Sequence, residues 1–161
     1  MYFPDLTPYA YGRGVDYCTI DSFSLNVGWL DSAHPFPTGG VPAGFIERLE
    51  RLARYPVMLM RGDHVCEFCD FGPSPVHVDW ESYMAAQGVM YKRAVAAHAL
   101  SSAEIRAVGR DGKIYASPLM ICHYVEKHHY RPPQAFIEAV MEMPLDQPPN
   151  AGLSDQSRIC D

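Results

Sequence analysis

The feature that most constrains this chain is a pair of Cys/His signatures set far apart. Cys66-Glu67-Phe68-Cys69 has the C-x-x-C spacing of a metal knuckle, and His123 and His128 stand at H-x4-H spacing. Fifty-three residues intervene between Cys69 and His123. Two thiolates and two imidazoles are the ligand set of a closed tetrahedral zinc site. If Cys66, Cys69, His123 and His128 share one ion, the fold must carry residues near 66 onto residues near 123. That is a demanding condition for a chain of 161 residues.

The local sequence suits each half of the condition. Zinc binds thiolate sulfur at about 2.3 Å, and a tight two-residue turn sets two sulfurs on one side of the backbone. Val57–Met60 is a short apolar run fit for a buried strand that delivers the chain toward that turn. A dithiol oxidoreductase would need a helix to begin at the C-x-x-C. Asp70, Phe71, Gly72 and Pro73 follow instead, and they cannot continue as a helix. For the histidines, five residues of ideal helix turn through about 140°, so both imidazoles share a face only where the helix loosens. The approach of Pro132 supplies a reason for such fraying. Two alternatives stay open. His64 competes as a ligand, because His64-Val65-Cys66 could set three donors on one strand and turn. His123 could equally be an ordinary half-buried residue, with Lys127, His128 and His129 forming a solvated helix end.

Composition limits the function classes. Hydrophobic residues at 48% and charged residues at 20% are ordinary for a soluble globular chain, and 161 residues suffice for one domain with its own core. Fourteen prolines and twelve glycines imply many short elements joined by turns. A net charge of −6 without clustered Lys and Arg argues against a nucleic-acid binder. Arg48, Arg51 and Arg54 only alternate with Glu47 and Glu50 along one helix, as a solvated face does. No apolar run approaches a membrane span, and the opening residues lack the basic and apolar regions of a secretory signal. Five cysteines, an odd number, are then expected as reduced thiols in a cytoplasmic protein.

Taken in order, residues 1–20 read as an extended aromatic segment, since Pro4 and Pro8 forbid a regular helix. Its tyrosines are expected to bury their rings and keep their hydroxyls wet. Strands are expected near 24–30, 57–64, 104–108 and 113–116, the last two joined by a turn at Gly109-Arg110-Asp111-Gly112. Helices are expected over 45–55, 118–127 and 133–143, with a further one over Trp80–Leu100 broken at Gly88. Phe71–Val78 is a loop. The fold class is α+β: a small antiparallel sheet with helices packed on it and a zinc-knuckle-like turn, all within residues 1–143. Residues 144–161 read as a mobile tail.

Familiar catalytic patterns do not fit. His123, Glu126 and His128 form neither H-E-x-x-H nor H-x-x-E-H. A base deaminase needs H-x-E upstream of P-C-x-x-C, and no H-x-E occurs here. His77-Val78-Asp79 inverts the Asp-His order of small His-Asn-His nucleases. Neither a Gly-rich phosphate loop nor a G-x-S-x-G elbow is present. Asp16, Asp21, Asp31 and His34 could be assembled into an acid–base set, but free choice among nineteen carboxylates empties that choice of meaning.

Phe3-Pro4-Asp5-Leu6-Thr7-Pro8-Tyr9, Asn26-Val27-Gly28-Trp29-Leu30, the cysteine knuckle and the run from His123 to Phe136 resemble a family of small bacterial proteins, a domain of unknown function. The resemblance covers most of residues 3–140. It implies one bacterial cytoplasmic domain and brings no activity, substrate or site residues. The expected function is therefore a zinc-binding domain with a structural Cys2His2-type site that binds an unknown protein or small-molecule partner, without nucleic acid or membrane. The alternative is a zinc enzyme with an open position beside Cys66, Cys69 and one histidine. A metal-free interaction protein is the third reading.

Overall fold

The computed structural model of the protein describes residues 2–9, 24–57, 66–69 and 103–144. Within them the chain forms β1 (Ser24–Asn26), α1 (Phe45–Ala53), β2 (Glu104–Val108), β3 (Ile114–Pro118), α2 (Ile121–His128) and α3 (Gln134–Glu142). The α+β class holds. The expected segments Met58–His64, Phe71–Val78, Trp80–Leu100 and most of the tail lie outside the described residues, as do His77, Cys18 and Cys160.

The three strands lie in the order β1-β3-β2. β2 and β3 are antiparallel and joined at Gly109–Gly112, where Gly112 takes φ 76° and the Gly109 N–H donates to the Lys113 carbonyl. β1 runs parallel to β3, so the sheet is mixed where a purely antiparallel one was expected. The physical reason is the connection. A parallel partner needs a long crossover, and more than half of the chain lies between Asn26 and Ile114. Val57 adds a single antiparallel bridge to Glu104, which is all of the expected 57–64 strand that falls within the described residues.

β1 stops at Asn26, short of the predicted Leu30. Gly28 has φ 72°, and its N–H turns away from the ladder to donate to Asp5 Oδ1 at 2.8 Å. A Cβ there would meet Ile121 Cδ1 at 2.9 Å, so only glycine suits both the backbone and the space. Burial does not alternate as strand periodicity predicts: Ser24 and Asn26 are buried, Leu25 is half-buried, and all of Val27–Leu30 is buried.

One face of the sheet carries the helices. Ile105, Ala107 and Tyr115 point into a core with Phe45, Leu49 and Leu52 of α1, Ile121 and Val125 of α2, and Phe136, Ile137 and Val140 of α3. The apolar stripe read from α1 supplies those contacts. Its solvated face also makes tertiary contact: Arg48 Nη1 donates to the Met143 carbonyl at 3.0 Å, beyond the end of α3.

The other face is covered by residues 2–9, which run extended as their prolines require. Phe3 bridges to Trp29 and Pro8 to Leu25, while the side chain of the fully buried Asn26 donates to the Thr7 and Pro8 carbonyls. The Tyr9 hydroxyl is not wet. It donates to Glu104 Oε1 at 2.6 Å, in a site where Glu104 is wholly buried. Arg106 completes the group, with Nη2 2.7 Å from Glu104 Oε2 and its guanidinium 4.4 Å from the centre of the Tyr9 ring.

Burial pushes the Glu104 carboxyl above its ordinary 4.5, against the opposing pull of Arg106 and the Tyr9 hydrogen bond. A carboxyl raised in the fold binds its proton more tightly there than in the unfolded chain. Its contribution to stability is thus full below pH 4.5 and is lost as pH rises through the folded value. Glu104→Gln removes this titration and keeps an oxygen to accept the Tyr9 hydroxyl. Urea unfolding from pH 4 to pH 7 should show the parent losing stability relative to the variant. A stability difference that is constant with pH, or that moves the other way, would refute the assignment.

Candidate metal centre

Two structural decisions bring the knuckle and the histidines together. The first is the length of the hairpin. Pro118 was expected to open a helix, but Ser117 and Pro118 remain in β3, where Pro118 stands opposite Glu104 and Leu119 N–H donates to the Ala103 carbonyl. Ser117 Oγ donates to the Val27 carbonyl at 2.6 Å and fixes that extension. α2 therefore starts at Ile121, with Ile121–Val125 all buried. The second decision is how α2 ends. His129 adopts the left-handed conformation, φ 54°, and the Tyr130 N–H closes back on the Tyr124 carbonyl at 3.1 Å. No loosening falls between His123 and His128, contrary to expectation. The helix is continuous through His128, and the two imidazoles span the angular gap themselves, with ring centres 5.0 Å apart.

Cys66–Cys69 form a tight turn in which the Cys69 N–H faces the Cys66 carbonyl at 3.4 Å. The two residues between the cysteines hold this turn from opposite sides. Glu67 Oε2 accepts from the Ser32 N–H at 3.0 Å and from its hydroxyl at 2.9 Å. The Phe68 ring lies against Phe36, Tyr124 and His128, with centroid separations of 5.1, 5.7 and 5.4 Å. Neither contact was visible in the sequence, because both partners are remote and neither residue type carries a spacing signal.

The four predicted donors meet. His128 Nε2 lies 3.2 Å from Cys66 Sγ, 3.3 Å from Cys69 Sγ and 3.2 Å from His123 Nε2. Cys69 Sγ lies 3.2 Å from His123 Nε2, and all four atoms fall within 4.8 Å of one another. A tetrahedron with metal–sulfur bonds of 2.3 Å and metal–nitrogen bonds near 2.05 Å has S–N edges of roughly 3.6 Å and N–N edges of roughly 3.3 Å. The three S–N distances and the N–N distance above are within a few tenths of an ångström of these. Hydrogen bonding alone accounts poorly for the cluster: a neutral imidazole offers one N–H, yet His128 Nε2 faces three neighbours. The group could hold a metal ion.

Electrostatics point the same way. Burial lowers the affinity of His123 for a proton, assisted by repulsion from His128 and Lys127, and burial lowers that of His128 as well. Both are held in the neutral form that binds metals. Burial pushes the Cys66 thiol up to about 11, with Cys69 adding to the shift. A nearby cation would reverse that penalty. Cys122, buried in the core with its thiol pushed up to about 12, takes no part in the cluster. Among the described residues His123 Nδ1 is buried without a hydrogen-bond partner. His64 lies outside the described residues.

The chain matches the family described as Domain of unknown function (DUF7919) over residues 1–141. It belongs to that family. No curated protein and no solved structure matches it. The matched span contains the N-terminal segment, all four cluster residues and most of α3, so the cluster lies within the family domain.

Adjacent histidines at the end of α2 allow a sharp test. His128 is in the cluster, whereas His129 occupies the left-handed position that asparagine tolerates. In metal titrations, His128→Asn should lose tight uptake, and His129→Asn and His64→Ala should retain it. Equal loss in His128→Asn and His129→Asn would refute the assignment of the cluster as the binding group.

Proposed function

We propose that this protein is a zinc-binding domain whose ion is structural, held by Cys66, Cys69, His123 and His128, and that it acts by binding a partner rather than by catalysis. One observation carries the reading: four donor atoms from two remote segments converge within 4.8 Å, four of their six edges at 3.2–3.3 Å. The donor set selects the metal. Two thiolates and two imidazoles form a borderline-soft, four-coordinate site that suits zinc, whereas magnesium and calcium seek oxygen.

The structural role follows from coordination. Four protein ligands fill a tetrahedron and leave no position for an activated water. Two thiolates also donate charge that weakens a Lewis acid. What such an ion contributes is a link: it joins the turn at Cys66–Cys69 to α2, so its binding energy becomes part of the folding energy. The partner belongs to the same proposal, as a protein or small molecule.

Elemental analysis of reduced, tag-free protein should find about one zinc per chain. X-ray absorption should fit two sulfurs and two nitrogens. Well under half an equivalent of any transition metal would sink the proposal, and a shell of two sulfurs, one nitrogen and a water would replace the structural role with a catalytic one.

Stability gives an independent measure. Cys66→Ser or chelation should lower the melting temperature by roughly 10 °C or more, as the loss of several kcal/mol implies for a chain of this size. Cys18→Ser and Cys160→Ser should each shift it by no more than a few degrees. Equal shifts in all three variants would deny the knuckle any special status.

A further inference from the structure

The cysteines of the cluster differ in access and are already placed for a bond to each other. Cys66 is 2% exposed, and Cys69 is only partly buried. The hydrogen-bonded turn keeps their Cα atoms under about 7 Å apart. A disulfide accepts Cα separations of about 4.4–6.8 Å, so closing one asks for side-chain rotation with little backbone movement. The two sulfurs already lie within 4.8 Å. On this chain, then, the turn that presents two thiolates to a cation also presents them to each other.

We propose that Cys66 and Cys69 are a site of oxidative modification, at which hydrogen peroxide converts the pair to a disulfide and so releases the ion. The inference rests on the structural zinc reading and adds its regulation. Cys69 reacts first because it is the more accessible sulfur. Its thiolate attacks one peroxide oxygen; the S–O bond forms, the O–O bond breaks, and hydroxide leaves to take a proton from solvent. The Cys66 sulfur then attacks the Cys69 sulfur; the S–S bond forms, the S–O bond breaks, and a second hydroxide leaves and is protonated. Two sulfurs together give up two electrons, and the peroxide is reduced to two waters. His123 and His128 remain as the only donors, too few to hold the ion tightly. Cys122 is an internal reference, since it is equally buried in the apolar core and has no cysteine beside it in the cluster.

The test uses the full chain loaded with zinc, its metal content measured before any oxidant is added. Hydrogen peroxide is then supplied in excess. A chromogenic chelator follows zinc release, a sulfenic-acid trap is applied at early times, and peptide mapping locates the oxidised sulfurs. The expected result is near-stoichiometric release that tracks a Cys66–Cys69 disulfide. The trap should be found on Cys69, Cys122 should remain a thiol, and zinc should rebind after reduction. Loaded protein that keeps its zinc and its thiols would overturn the inference and leave the zinc site standing. Release accompanied by sulfinic acid and no Cys66–Cys69 disulfide would also overturn it, as would early trapping on Cys66. Failure to load zinc at all is a separate result, reached before the peroxide step; it removes the zinc reading and this inference together.

Discussion

Four polar donors share one small, largely desolvated space, and the surrounding structure is arranged to keep them there. As neutral groups they cannot all be satisfied by one another, because His128 Nε2 alone faces two sulfurs and a nitrogen. Unsatisfied buried polar atoms cost on the order of 1–3 kcal/mol each. The fold nonetheless commits a helix, a turn and two side-chain clamps to this geometry. Phe68 fills the space beside His128, Glu67 anchors the turn to Ser32, and the extended hairpin sets where α2 begins. A cation at the centre would exchange several poor hydrogen bonds for four good ligands.

The N-terminal segment follows another rule. There, carboxylates connect residues 2–9 to the later strands and to the end of α2. Asp5 accepts from the Gly28 N–H through one oxygen and from the Tyr130 hydroxyl through the other, at 2.8 and 2.7 Å. Glu104 is shared by Tyr9 and Arg106 in the same way. Burial raises both carboxyls, opposed by the hydrogen bonds they accept. The helices are held to the sheet by apolar packing, and the N-terminal segment by a few specific polar contacts. A single substitution there would cost more in definition of structure than the area it covers suggests.

The parts of this arrangement that were legible share one property: their signal is periodic or local. The stripe of Phe45, Leu49 and Leu52 predicted α1 within two residues, and the Asp-Gly step predicted the hairpin. The four cluster residues were also readable, because C-x-x-C and H-x4-H are spacings with a geometric meaning. The misses are long-range. The parallel pairing of β1 depends on a crossover that no window of sequence contains. The break at Gly28 depends on Asp5 and on Ile121. The Tyr9 hydroxyl was expected to face water because nothing near it in sequence foretells Glu104. At α2, helix geometry alone argued for loosening between the histidines, and it left out how far an imidazole can reach.

The bonds from Tyr9 to Glu104 and from Asp5 to Tyr130 span 95 and 125 positions of the chain. Residues 2–9 therefore leave the ribosome long before the groups they bind. Phe3 and Pro8 can meet Trp29 and Leu25 early. Until Glu104 and Tyr130 have emerged, the Tyr9 hydroxyl and the second Asp5 oxygen lack these partners, and the apolar patch of Tyr9, Trp29 and Ala116 stays incomplete. Contacts of such separation are closed late, because the loop entropy must be met before they contribute. The N-terminal segment is thus the closing seal of folding, although it precedes its partners in synthesis, and the growing chain must survive translation with that seam open.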